Sequence, residues 1–355
     1  MSAVLAGLAV PIVVAPMAGG PSTPELVTAV GGAGGLGFLA GALIGVDALA
    51  DQVARVRPAG VFGVNLFLPT ERVEEDLSEH LAALDRWAAR YGVRRGEARW
   101  DDDDYPAKLD WLLGHPVPVV SCTFGCPPAD VVAAVQGVGS EVWVTVTTPD
   151  DAVLAAQVGA DALVVQGFEA GGHRGTFRNS DPAGHVSEQP GLLALQRQVS
   201  AGLAGRRPAP ALVAAGGLIT GADVAAVLTA GAAAAQLGTA FLLCPEAGTT
   251  ALHRAAVSCD RATAVTRAFS GRPARGVRNA FLDERGDRPP AAYPQLNNAG
   301  KPVRAAAAAA GDDGPVSLWA GQTHALARPL PAAQLVAALG EEARSAIAAA
   351  AARLR

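Results

Sequence analysis

Short apolar runs rich in Val, Ala and Leu recur along this chain, each ending in a small or amide residue before an amphipathic stretch takes over. VPIVVAPMA from Val10 precedes a helix starting near Thr23, GGLGFLA from Gly34 a helix over 46–57, and VFGVNLF from Val61 a long charged helix over 71–91. An irregular stretch between Trp100 and Trp111 follows. VPVVSCTFG from Val117 then leads to a helix over 128–135, EVWVTV from Glu141 to one starting at Pro149, and ALVVQG from Ala162 through a long loop to one over 190–203. ALVAAGG from Ala211 with a helix from Gly221, and AAAQLGTAFL from Ala233, complete the series. Continuous apolar runs of this length predict strands buried on both faces, as in parallel sheets.

Eight such alternations in about 240 residues match a (β/α)8 TIM barrel. A doubly wound sheet is the rival, but its G-x-G-x-x-G fingerprint should follow a strand, and the glycine run from Gly31 to Gly37 precedes one. Barrel active sites lie at the C-terminal strand ends, which gathers Met17, Asn65, Ser121, Gln166, His173, Gly216, Gly217 and the run Gln236, Leu237, Gly238 and Thr239 on one face. The stretch ALVVQGFEAGGHRG from Ala162 stands out among them. A strand ending in Gln166 opens into a glycine-rich loop whose bare N–H groups suit a phosphate or a flat ring, with His173 at the rim as general base or donor. The glycine pair at 216–217 and QLGT at 236–239 follow the seventh and eighth strands, the usual phosphate position of such barrels.

Composition narrows the function class. Half of the 355 residues are hydrophobic and 17% are charged, so a large core is assured. A net charge of −5 without a basic stripe argues against nucleic acid as a partner, and the acidic run from Asp101 to Asp104 reads as a solvated loop. The apolar N-terminus has no Lys or Arg ahead of it and is broken by Pro11 and Pro16, which excludes a signal peptide or membrane span. Cys122, Cys126, Cys244 and Cys259 are too few and too dispersed for a disulfide framework, which points to a reducing cytoplasm, and no matching ligands complete a metal site around them.

The chain resembles the nitronate monooxygenases, formerly 2-nitropropane dioxygenases, from about Val10 to Leu335. The resemblance rests on PIVVAPMAGG at Pro11, FGVNLF at Phe62, QGFEAGGHRG at Gln166, AAGGL at Ala214, QLGTAFL at Gln236, YPQLNNAGK at Tyr293 and SLWAGQ at Ser317. The last two resemble segments of the bacterial class I type; the others are shared with further flavin barrels.

The resemblance implies a barrel over 1–245 that binds FMN, a smaller substrate-side segment over 246–322 capping its mouth, and C-terminal helices over 323–355 packing back. Asn65, Gln166, Gly171, Gly216, Gly217, Gln236, Leu237, Gly238 and Thr239 would hold FMN, with Met17 against the ring system and Gly321 and Gln322 reaching it from the C-terminal segment. The substrates implied are an alkyl nitronate, such as propionate 3-nitronate, and O2. The nitronate passes an electron to the flavin and then reacts with oxygen. Protonated His173, with Tyr293 and Lys301, would position the anion; neutral His173 would instead take the α-proton of a nitroalkane. Trp319 reads as packing, and Arg267, Arg272, Arg275 and Arg278, in the basic stretch over 266–287, are left between substrate binding and bracing of a lid. The rival resemblance is to an FMN-dependent enoyl-acyl-carrier-protein reductase using NAD(P)H. Membranes are excluded as partners, and assembly is left open between monomer and homodimer.

Overall fold

The computed structural model describes residues 2–179, 189–286 and 288–354, so Asp287, the end of the basic stretch, lies outside the described residues. Eight parallel strands form the barrel: β1 (Ile12–Val14), β2 (Phe38–Ala40), β3 (Gly63–Phe67), β4 (Val119–Thr123), β5 (Glu141–Val146), β6 (Ala162–Gln166), β8 (Ala211–Ala215) and β9 (Ala234–Leu237). Each lies within a run read from the sequence. Closure comes from β1 and Leu36 just ahead of β2, where Val14 N donates to Leu36 O at 2.8 Å and Leu36 N to Ile12 O at 3.0 Å.

Alternation along the strands separates two cores. Val13, Phe38, Val119, Trp143, Val164 and Val213 fill the barrel interior, while Ile12, Val14, Val64, Leu66, Val142 and Val144 face the helices. Gly63 is required by this interior: a Cβ there would lie 2.1 Å from the Phe38 ring. The helices are α1 (Ala3–Ala6), α2 (Pro24–Gly32), α3 (Val46–Val56), α4 (Ser78–Arg90), α5 (Tyr105–Gly114), α6 (Ala129–Gly137), α7 (Pro149–Gln157), α8 (Leu192–Gly202) and α9 (Gly221–Thr229). Threonine side chains start several of them: Thr23, Thr148 and Thr220 cap α2, α7 and α9, the last in a reciprocal box with Asp223.

Two local expectations change. The charged helix expected over 71–91 begins only at Ser78, where the Asp76 carboxylate accepts the Ser78 N–H at 2.9 Å, and residues 71–77 form no helix. The stretch from Trp100 to Trp111, expected to be irregular, contains most of α5. Its periodicity is masked because it buries Lys108 beside Leu112.

Past the barrel, α10 (Ala251–Val257), β10 (Thr263–Thr266), β11 (Ala274–Val277), α11 (Ala280–Arg285) and α12 (Gln295–Ala309) form a cap over the C-terminal strand ends. Its sheet runs β10, β11, β7, where β7 (Gly172–His173) belongs to the loop after β6. The cap thus grips the glycine-histidine loop through backbone pairing. The last helix, α13 (Ala332–Arg353), returns to the barrel and buries Leu335, Val336 and Leu339 in the main core.

Candidate active site

A cavity of about 730 Å³ opens at the C-terminal strand ends, within the size range of small-molecule sites. Its wall includes Met17, Asn65, Gln166, Gly171, His173, Gly216, Gly217, Gln236, Leu237, Gly238, Thr239, Lys301 and Gly321. Thirteen residues singled out in the sequence therefore meet in one place. Three others do not line it: Ser121 is buried and bonded to Asn65, Gln322 is exposed, and Tyr293 is buried behind His173, ring centroids 5.7 Å apart. Gln322 meets the site only through its N–H, which donates to Glu169 O.

The two late glycine segments form a cradle. Gly216 and Gly217 have φ of 119° and 70°, and the N–H groups of Gly217, Gly238 and Thr239 find no partner among the described residues. Bare donors at the end of two strands suit a phosphate dianion without a cationic side chain. The C-terminal segment closes over them: Gly321 N donates to Thr239 Oγ1 at 3.0 Å, and Thr323 Oγ1 to Gly217 O at 2.7 Å.

Deeper in the cavity the amides divide their work. Asn65 Nδ2 donates to Ser121 O, Ser121 Oγ and Thr123 Oγ1, which fixes its oxygen as the group left over. The Gln236 amide, 8% exposed, makes no hydrogen bond to the described residues. Gln166 is committed elsewhere: its Nε2 donates to His173 O at 3.0 Å, and its Oε1 accepts from Arg174 Nη1 and Gly175 N, both at 2.9 Å. It lines the cavity but holds the loop. Unsatisfied acceptor and amide groups beside an anion cradle suit a flat, phosphorylated cofactor: Asn65 and Gln236 could meet a polar ring edge, and the N–H groups of Gly217, Gly238 and Thr239 a phosphate.

His173 sits in an aromatic box made by Phe67, Phe124, Tyr293 and Trp319, with ring centroids between 5.4 and 6.3 Å away. Trp319, read as packing, packs edge-on to Phe269 and also lines the cavity. His173 Nε2 lies 2.8 Å from Ser270 Oγ, and no hydrogen bond from the described residues reaches Nδ1. Burial, reinforced by Arg272 and then Arg304, pushes the imidazole down to about 3. The ring is partly buried and lines the cavity, among the aromatic rings that desolvate it. This favours the neutral ring, the form that takes an α-proton, over the protonated anchor that the resemblance also implied.

Most of the unassigned arginines brace this loop. Arg272 lies 3.8 Å over the Phe124 ring and donates to Thr176 O, while Arg275 donates twice to Phe168 O, at 3.2 and 3.0 Å, and covers its ring. Arg267 reaches Asn179 O, and Arg278 pairs with Asp283 on the surface. None of the four lines the cavity. Arg174, which the sequence reading passed over, is fully buried and donates to Gln166 O, Gln166 Oε1, Gly167 O and Gln189 Oε1. Its position beside His173 was the available signal.

The acidic run is also displaced from its expected role. Asp101, Asp103 and Asp104 line the cavity rim. Asp103 pairs with the buried Lys108 at 2.9 Å and accepts Leu43 N, and Asp101 pairs with Arg99 and accepts from Asn298. A solvated loop was expected because charge runs usually are one; here Asp101 and Asp103 fasten neighbouring elements, while Asp102 accepts only the Asp104 N–H and Asp104 stays exposed.

A family model described as nitronate monooxygenase matches residues 2–342. The chain belongs to the nitronate monooxygenase family. It is 41% identical to a nitronate monooxygenase of Pseudomonas aeruginosa over 96% of this chain and 98% of that protein, and 38% identical to one of Paraburkholderia phytofirmans over 97% and 94%. Among solved structures it is similar to a nitroalkane oxidase from Streptomyces ansochromogenes, with a TM-score of 0.93 and 44% identity over 98% of this chain and 99% of that one. FabK from Thermotoga maritima, with a TM-score of 0.71 and 23% identity, shares the barrel fold. Among the described residues no helix is long and apolar enough to cross a membrane.

Proposed function

We propose that this protein is an FMN-dependent nitronate monooxygenase that oxidises alkyl nitronates, propionate 3-nitronate among them, with O2. The observation that carries the reading is the joining of the unpartnered N–H cradle and the neutral, cavity-facing His173 in a single cavity of a chain of this family. FMN would supply the one-electron chemistry between nitronate and oxygen. The chain binds, orients and shields.

Ser270 sets what His173 offers. With Nε2–H donating to Ser270 Oγ, Nδ1 carries the lone pair and takes the α-proton of a neutral nitroalkane; the C–H electrons move onto the nitro group and leave a nitronate. With the Ser270 hydroxyl donating to Nε2 instead, Nδ1–H donates to a nitronate oxygen. Both states use a neutral ring. The aromatic box keeps water from this edge of the cavity and so strengthens either bond. The four cysteines are all free among the described residues, in keeping with a reducing, cytoplasmic setting.

The test is spectroscopic. The purified protein should be yellow, should bleach anaerobically with propionate 3-nitronate or propyl-2-nitronate, and should be unmoved by NADPH. Rapid bleaching by NADPH with no response to nitronates would replace the reading with that of a reductase.

A further inference from the structure

On the reading above the substrate is an anion, and something in the cavity must hold its charge. The residues marked for this in the sequence do not supply a fixed cation. Burial disfavours a charge on His173, Tyr293 stands behind the wall, and Lys301 is exposed, where a flexible ammonium keeps its water. The cap helix α12 places Asn297, Asn298, Lys301, Arg304 and Ala305 along the cavity at helical spacing.

Arg304 differs from its neighbours. Its guanidinium is locked, with Nη1 donating to Phe269 O at 3.0 Å and Nη2 to Asn297 O at 3.0 Å and Asn297 Oδ1 at 2.9 Å. These bonds leave Nε–H and one Nη1–H without a partner among the described residues, none of whose carboxylates pairs with it. The nearby acids are occupied: Asp101 by Arg99 and Asn298, Asp103 by Lys108 and the Leu43 N–H, while Asp104 is exposed. Its charge is also close enough to count against protonation of His173. A preorganised, partly dry guanidinium with spare donors is suited to a planar oxyanion.

We propose that Arg304 is the anion-binding residue of the substrate cavity, holding the nitronate oxygens by charge-assisted hydrogen bonds in the cavity that His173 also lines. Charge recognition thereby falls to a residue of the cap helix, and the histidine is left free for proton work.

The assignment rests on the nitronate reading, so its test begins with an inert probe. Nitrate has the planar shape and charge of a nitronate head group and is not oxidised. The flavin-loaded wild type, Arg304→Gln and Arg304→Lys proteins are titrated with nitrate by calorimetry. Arg304→Gln should lose about 10- to 100-fold in nitrate affinity, the usual range for removing hydrogen bonds to a charged group, with Arg304→Lys between it and the wild type. Steady-state kinetics then compare the KM for ethyl nitronate with the inhibition constant of neutral nitroethane. The first should rise in Arg304→Gln and the second stay within about twofold. Absent nitrate binding in the wild type, unchanged affinity in Arg304→Gln, or a parallel rise of both constants would overturn the assignment. Should Arg304→Gln fail to fold, wild-type nitrate affinity in Arg304→Lys does the same. A wild type that binds nitrate through Arg304 yet leaves nitronates untouched defeats the proposed reaction and leaves the anion site standing.

Discussion

Ser270 Oγ lies 2.8 Å from His173 Nε2, and this contact joins the loop after the sixth barrel strand to the cap that follows the barrel. Ser270 is itself fixed, since its Oγ also lies 3.3 Å from both the N–H and the carbonyl of Arg272. The serine therefore links imidazole tautomer to cap geometry. Ser270→Ala should retain flavin and lower nitronate kcat/KM by about 2- to 10-fold, the range for one neutral hydrogen bond. Flavin content and steady-state oxygen uptake check this together; flavin loss matching the activity loss would make Ser270 a structural residue only.

The depressed His173 pKa fixes the sign of a pH prediction. A histidine whose folded pKa is about 3 stays neutral from pH 5 to 9, and its neutral form is lost only as pH falls through that value. Flavin reduction by a preformed nitronate should show no ionisation near pH 6.5 attributable to this ring. His173→Asn should keep FMN and slow the step by about 10²-fold, as for loss of one preorganised catalytic group. Stopped-flow traces across pH for both proteins decide it. A wild-type titration near 6.5 that disappears in His173→Asn would restore the protonated anchor.

The barrel and most of its mouth were legible because their signals are local. Apolar runs ending in Asn65, Gln166 or Gln236 mark strand and rim in one stroke, and paired glycines at 216–217 mark a backbone approach. The bracing was not legible, because it is tertiary. Nothing in the sequence says that Arg174 folds back onto Gln166, that Arg272 and Arg275 cover Phe124 and Phe168, or that Lys108 is buried against Asp103. The downward push on the His173 pKa was not legible for the same reason. The residues that desolvate His173, such as Tyr293 and Trp319, lie more than a hundred positions away in the chain.

Adjacent glycines in the loop separate packing from backbone conformation. A Cβ on Gly171 would lie 2.5 Å from both Ala320 C and Gly321 N, backbone atoms that cannot turn aside. A Cβ on Gly172 would meet nothing within 4 Å, but its φ is 72°. Gly171→Ala should push the C-terminal segment off the cradle, lowering flavin retention and costing about 1–3 kcal/mol, as overpacking does. Gly172→Ala should cost about 1–2 kcal/mol for its left-handed backbone and keep flavin. Thermal unfolding with flavin quantitation distinguishes the two, and equal flavin content in both would separate the C-terminal segment from cofactor binding.

His80 offers a stability test remote from the cavity. It is 2% exposed on α4, packed edge-on to Phe281 with centroids 5.8 Å apart, and its ring nitrogens lack well-formed hydrogen bonds, a contact with the Ala268 backbone falling outside bonding geometry. Burial, then the Arg285 charge, pushes it down to about 4. The unfolded chain, with a histidine near 6.5, binds the proton first, so stability is full above pH 6.5 and falls as pH drops toward 4. At pH 5 the loss is about 2 kcal/mol, set by the gap between pH and the unfolded value. His80→Phe removes the titrating group while keeping an aromatic ring against Phe281. Urea midpoints at pH 7.5 and pH 5 should therefore separate more for the wild type than for His80→Phe. Equal separation in the two proteins would mean that His80 stays protonatable in the fold and that the acid sensitivity of the cap resides elsewhere.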